Sequence, residues 1–188
     1  MTDVTTHKQR KQLANVEEFE RWLSKKKTDY NYEFVNGQAI KKNPMKQNEL
    51  LMVRFLTDLF MTTQAFAIKG RLFPETDVYI DNFRKRIPDL AYFTDAQIQA
   101  TRSGTKVVPA FVIELVSDSE SFDDVEKKVT DYFDAGVQVV WYINPKRQNI
   151  HNYTSPKTVQ ICSDADVCSA APALSDFEFE VRELFEVA

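Results

Sequence analysis

The spacing of apolar and polar residues changes period several times along this chain, and each change predicts an element. In VEEFERWLSKKK, residues 16–27, Val16, Phe19, Trp22 and Leu23 recur on one face at helical spacing. YNYEFVNGQAIKK follows, with Asn36-Gly37 between Phe34-Val35 and Ala39-Ile40. That dipeptide favours a two-residue hairpin turn because both positions tolerate positive φ. Pro44 breaks the chain there. QNELLMVRFLTDLFMTTQAF, residues 47–66, predicts one long helix, apolar nearly all round and therefore central. Short strands are predicted at 67–73, 77–81 and 89–93, punctuated by Pro74 and Pro88.

In the second half, residues 94–108 read as a helix start and a loop with Ser103-Gly104 at its tip. An apolar run at 110–116 predicts a buried strand. SFDDVEKKVTDYFDAG predicts a helix: Ser121 and Asp124 form a capping-box pattern, and Gly136 is a C-terminal stop. VQVVWYIN is a second buried strand, and IHNYT with TVQIC predicts a hairpin. FEFEVRELF fits a strand or a short helix equally well. A helix between two apolar strands implies a crossover unit in a mixed β-sheet flanked by helices, an α/β fold. There is no repeat and no linker, so one domain is expected over 16–188 behind a flexible polar N-terminus at 1–15.

Composition narrows the function classes. A chain of 188 residues can bury its own core, and 43% hydrophobic with 28% charged residues argues against disorder. Cys162 and Cys168 are too few for a disulfide scaffold and lack zinc-type spacing, so a reducing cytoplasmic location and inert thiols are expected. No apolar stretch approaches the roughly 20 residues of a membrane span, and MTDVTTHKQRKQ has no signal-peptide core. The net charge of −4 argues against a protein that coats nucleic acid. Basic clusters at 25–27, 41–42, 84–86, 127–128 and 146–147 each read as solvated surface.

Chemistry enters at FVIELVSDSE, residues 111–120. Glu114 lies inside a buried strand, and an unpaired carboxylate there would cost several kcal/mol. Asp89 opens the preceding strand, PDLAYF. If the two strands are neighbours, both carboxylates converge at one end of the sheet, which suits a hard divalent cation such as magnesium or manganese. On the following helix Val125, Val129, Tyr132 and Phe133 form the apolar stripe. Lys128 lies about 40° from Tyr132 on a helical wheel, while Lys127 points nearly opposite the stripe. Lys128 can therefore reach back to the sheet. Taken singly, Asp89 reads as a strand cap, Glu114 as a core acid paired with Arg, and Lys128 as surface charge. Asp77 reads as a strand-start residue, His151 as structural or exposed, and Trp141 and Tyr142 as core.

The ordered set PD, IELVSDS, DDVEKKVTDYFDAGV and VVWYIN resembles the Uma-type restriction-endonuclease family of the PD-(D/E)XK nuclease superfamily, and YEFVNGQAI resembles its hairpin. The likeness spans roughly 16–186. It implies a restriction-endonuclease-like core, DNA as substrate, Mg²⁺ (or Mn²⁺) held by Asp89, Glu114 and the Leu115 carbonyl, and a homodimer. The usual lysine two residues after the Glu is replaced by Val116, and a migrated lysine at Lys128 is implied. Asp124, one turn earlier, would hold Lys128 in place, and Glu33 would complete the site. Two departures stand out: Gln47 replaces a His, and Asp118 replaces a Pro between Ser117 and Ser119. They favour an alternative, a catalytically inactive nuclease-fold module that binds nucleic acid or protein.

Overall fold

The computed structural model describes residues 12–116 and 120–186, the side chain of residue 48 excepted. Helix α1 (Val16–Ser24) starts at Asn15, whose Oδ1 accepts from the Glu18 N–H at 2.9 Å. Strands β1 (Tyr32–Val35) and β2 (Gln38–Lys41) form the expected hairpin, with Asn36 at φ 46° and Gly37 at φ 89° in its turn. A 3₁₀ turn, Gln47–Glu49, leads into α2 (Leu50–Phe60), and α3 (Gln64–Ala67) follows. Four strands come next: β3 (Arg71–Pro74), β4 (Val78–Tyr79), β5 (Arg84–Arg86) and β6 (Leu90–Phe93). After α4 (Asp95–Ala100) come β7 (Phe111–Leu115), α5 (Phe122–Ala135) and β8 (Val139–Asn144). The chain closes with β9 (Asn149–Ser155), β10 (Thr158–Ser163), β11 (Val167–Ser169), β12 (Glu178–Glu180) and α6 (Val181–Glu186).

Six strands form the main sheet in the order β10-β9-β8-β7-β6-β3, and all pairs are antiparallel except β7 with β8. That parallel pair is the crossover unit the sequence predicts, with α5 as its connection. Successive residues of a strand face opposite sides, so β7 divides its side chains between two cores. Phe111, Ile113 and Leu115 pack with Met52, Leu56 and Phe60 of α2 and Leu184 of α6. Val112 packs with Val125, Val129 and Tyr132 of α5 on the other face. A second sheet, β2-β1-β5-β4, carries α1 through Phe19 and Phe34, whose rings stack at 5.1 Å.

Several expectations need correction. The helix predicted over 47–66 is two helices, because Thr63 leaves the helical conformation and its hydroxyl caps α3 by accepting from Phe66 N–H. It is also one-sided: Met52, Leu56 and Phe60 are buried, while Leu50, Leu51 and Met61 are exposed. The strand expected over 67–73 begins only at Arg71. FEFEVRELF is both alternatives in turn, β12 and then α6. Strand β5 was not anticipated, because its Arg84-Lys85-Arg86 reads as solvated surface. Lys85 and Arg86 are in fact buried, at 3% and 5% exposure. Of the N-terminal stretch read as flexible, residues 1–11 lie outside the described residues. Leu13 beyond them is buried, and its N–H donates to the Gly37 carbonyl at 3.0 Å. Ser117, Asp118 and Ser119 also lie outside the described residues. No helix among the described residues is long and apolar enough to cross a membrane.

Candidate active site

The site grows out of strand register. Leu90 of β6 pairs with Ile113 of β7 in antiparallel fashion, so Asp89 stands abreast of Glu114, one step further along. Both carboxylates project to the α5 side. Glu114 is 2% exposed and Asp89 7%. The Leu115 N–H donates to Asp89 Oδ2 at 2.7 Å, which ties the head of β6 to the end of β7.

Helix α5 supplies the next groups. Ser121 caps it by accepting from Asp124 N–H, and Gly136 ends it at φ 104°. This fixes its rotation, so Lys128 and Tyr132, one turn apart, both reach Glu114. Lys128 Nζ lies 3.6 Å from Glu114 Oε2, and the Tyr132 hydroxyl donates to Oε1. Lys127 is exposed, as the helical wheel predicts. Asp124 does not hold Lys128: its Oδ2 accepts from the Ser121 hydroxyl at 2.6 Å. Glu120 takes that role, 2.8 Å from Lys128 Nζ. Nothing local in the sequence distinguishes Glu120 from the polar residues around it.

A second lysine was also missed. Lys42 Nζ donates to Asp89 Oδ1 at 2.8 Å and lies 4.0 Å from Glu114 Oε2. The 41–42 cluster reads as solvated surface, yet the Lys42 side chain is only 11% exposed. The signal was in the hairpin. Its two-residue turn pairs Glu33 with Ile40, and alternation then puts Lys42 on the same face as Glu33.

Glu33 is buried and lines the same cleft, but its oxygens are committed. Oε2 accepts from Arg86 Nη1 at 2.9 Å and Oε1 from the Ile87 N–H at 3.0 Å. Arg86 continues to Asp131 of α5 through Nε at 2.7 Å. Leu115 lines the cleft too. Val116 is half-buried and donates its N–H to the Ile143 carbonyl. Gln47 is exposed and is not among the cleft residues, whereas the nearby Glu49 is. The cleft measures about 950 Å³, and Lys41, Lys46 and Lys127 stand at its exposed rim.

Burial and the charge on Glu114 push the Asp89 carboxyl up to about 6, against the pull of Lys42. Burial would push Glu114 up as well, but Lys128, Lys42 and the Tyr132 hydroxyl outweigh it and hold Glu114 below its ordinary value. Burial disfavours the charge on Lys128, yet Glu114, Glu33 and Glu120 raise its pKa well above the ordinary range. Lys42 is raised for the same reason by Glu114 and Asp89. The result is two ammonium groups on two neighbouring carboxylates, of which Asp89 is raised and Glu114 lowered.

A family model named Uma2 and described as "Putative restriction endonuclease" matches residues 16–182. The chain belongs to this family. Among solved structures, the crystal structure of "a putative nuclease belonging to DUF820" from Anabaena variabilis is similar, with a TM-score of 0.77 and 18% identity. The match covers 92% of this chain and 98% of that one. It shows that the two share a fold, a nuclease-like mixed α/β core. No curated protein matches. The donor set fits the divalent metals that nucleases of this kind generally use: Asp89 and Glu114 offer hard oxygens side by side, and magnesium is commonly bound through one or two carboxylates plus waters. No group of three or more acidic, His or Cys side chains suited to a metal occurs among the described residues. Any such ion would therefore rely on main-chain oxygen or water for its remaining positions.

Proposed function

We propose that this Uma2-family chain is a Mg²⁺- or Mn²⁺-dependent endonuclease that hydrolyses DNA phosphodiester bonds. One observation carries the reading: Asp89 and Glu114, from adjacent strands, converge so closely that one ammonium lies 2.8 Å and 4.0 Å from them, with Lys128 beside Glu114. Asp89 and Glu114 would hold the ion, with the Leu115 carbonyl as a further ligand. A bound divalent ion supplies Lewis acidity and lowers the pKa of water.

The chain's own groups do the rest. Lys128 is held between Glu114 and Glu120 with a raised pKa, so it stays protonated near neutral pH. It therefore acts as a fixed positive charge that stabilises the negative charge on the phosphoryl oxygens, not as a base. Tyr132 orients the Glu114 carboxylate from beneath. Lys41, Lys46 and Lys127 outweigh Asp124 among the exposed charges at the rim, on a chain of net charge −4, which supports approach of a phosphate backbone.

The test is cleavage of single- and double-stranded DNA with Mg²⁺ or Mn²⁺ by wild type and Asp89→Asn. Loss of cleavage in the variant is expected, and equal cleavage by both sinks the assignment. The second reading, a nuclease-fold binding module without catalysis, draws support from Lys42, which occupies Asp89 Oδ1. If calorimetry detects no uptake of a divalent ion at millimolar concentration while DNA or a protein partner still binds, that reading wins.

A further inference from the structure

Lys42 has no part in the chemistry just described, yet it makes the shortest ion pair to the carboxylate pair. We propose that Lys42 is the resident counter-ion of Asp89 and Glu114, and that a divalent cation binds by displacing it. This rests on the metal-dependent reading above and adds a residue that sets the ion affinity.

Three observations support it. First, both oxygens of Asp89 are taken: Oδ2 by the Leu115 N–H at 2.7 Å and Oδ1 by Lys42 at 2.8 Å. The main-chain donor is fixed in the sheet. The lysine is the one that can leave, because its ammonium rides on a flexible four-carbon stem. Second, the two lysines are not equivalent. Lys128 also meets Glu114 Oε2, at 3.6 Å, but its shorter contact is to Glu120 at 2.8 Å, so Glu120 can hold it while an ion occupies the Asp89 side. Lys42 lies between Asp89 and Glu114, on the oxygens an ion would need. Third, charge balance selects the same event. Asp89, Glu114 and Glu120 face Lys42 and Lys128, which leaves one negative charge unmatched. A divalent ion added to both lysines overshoots to a net positive charge in a poorly solvated space. An ion that replaces Lys42 brings the group to neutrality.

Movement of Lys42 needs no change of fold. Its main-chain N–H is held by the Asn31 carbonyl at 2.9 Å, so the backbone stays and the side chain swings into the open cleft.

The experiment measures Mn²⁺ affinity, by the loss of the free-ion electron paramagnetic resonance signal, for wild type, Lys42→Gln, Lys42→Arg and Lys127→Gln. Lys42→Gln is expected to bind about tenfold more tightly than wild type, the effect of removing one nearby competing charge. Lys42→Arg, which keeps the charge on a stiffer fork, is expected to bind no more tightly than wild type, and Lys127→Gln, which removes an exposed charge nearby, to stay within about twofold. A second measurement uses only the wild type, in case Lys42→Gln folds poorly: reductive methylation of lysines read by mass spectrometry, with and without Mg²⁺. Lys42 is expected to be protected without the ion and several-fold more reactive with it, while Lys128 does not change. If Mn²⁺ binds both proteins equally and Lys42 labelling ignores Mg²⁺, Lys42 is not displaced and the inference falls, while the metal site stands. If no variant binds Mn²⁺ and labelling is unaffected, the metal-dependent reading falls and takes the inference with it.

Discussion

Two buried charge clusters lie against α5 and are built for different purposes. In one, Arg86 bridges Glu33 of β1 and Asp131 of α5, with Nε and Nη2 both on Asp131 Oδ2 at 2.7 and 2.6 Å. Arg84 covers Asp131 Oδ1 at 2.6 Å, and Glu33 is closed by Arg86 and the Ile87 N–H. Every carboxylate oxygen has a donor, and the Arg86 fork is rigid. In the other, Asp89 and Glu114 face two lysines, with contacts running from 2.8 to 4.0 Å and lysine side chains 11% and 17% exposed. The guanidinium cluster also borders the cleft through Glu33 and Arg86, but its forked, fully paired contacts tie the small sheet to α5. In the ammonium cluster the cations ride on flexible stems at the cleft wall, and Lys42 is the one that an incoming ion would displace. Burial alone would not separate the two, since Glu33 and Glu114 are both buried acids.

The sharpest way to break this comparison is to remove one cation from each cluster. Arg86→Ala leaves Glu33 and Asp131 buried without their shared partner and is expected to cost about 3–5 kcal/mol of stability. Lys128→Ala leaves Glu114 with Tyr132 and Lys42, so the expected stability loss is only about 1–2 kcal/mol, while cleavage falls about a hundredfold. Urea denaturation alongside a DNA cleavage assay measures both. Equal stability losses would mean that both clusters are structural.

A smaller effect sharpens it further. Asp89 is pushed up to about 6 by burial and by Glu114, whereas Glu114 is held below its ordinary value and stays ionised in that range. An ion competes with a proton for Asp89, so affinity for Mn²⁺ is expected to be flat above about pH 6 and to fall up to about tenfold per pH unit below it. Arg86 is raised and cannot titrate there, so the guanidinium cluster contributes no such dependence. Titration calorimetry from pH 5 to pH 8 reads the curve, and a flat profile throughout would exclude Asp89 as a ligand.

How much of this was legible depended on whether the cause was local. The Asn36-Gly37 turn, the Ser121 cap and the Gly136 stop are written in dihedral preference and short-range hydrogen bonds, and all three formed where expected. The convergence of Asp89 and Glu114 followed from strand alternation, and the approach of Lys128 from helical geometry. Lys42, Lys85 and Arg86 were misread because a cation is buried only where an acid from elsewhere meets it. Their partners are Asp89, Asp77 and the pair Glu33 and Asp131. The hairpin register places Lys42 on the face of Glu33, but the pairings themselves are properties of the tertiary fold that a run of basic residues does not reveal.

The least disruptive test concerns Gln47, the position at which the family resemblance implies a histidine. A histidine in the cleft could move a proton, so its absence argued for lost catalysis. In this structure Gln47 opens the 3₁₀ turn before α2, is exposed and does not line the cleft. The acid that reaches the cleft from this turn is Glu49, whose Oε2 accepts from the Lys46 N–H at 2.7 Å. Gln47→His is therefore expected to change stability by no more than about 0.5 kcal/mol and to leave both the rate of cleavage and its pH profile where the wild type has them. A new ionisation between pH 6 and pH 7 in the variant's rate profile would mean that position 47 does reach the reacting groups. The open cluster would then extend along the cleft to α2, and the boundary drawn between the two charge clusters would have to move.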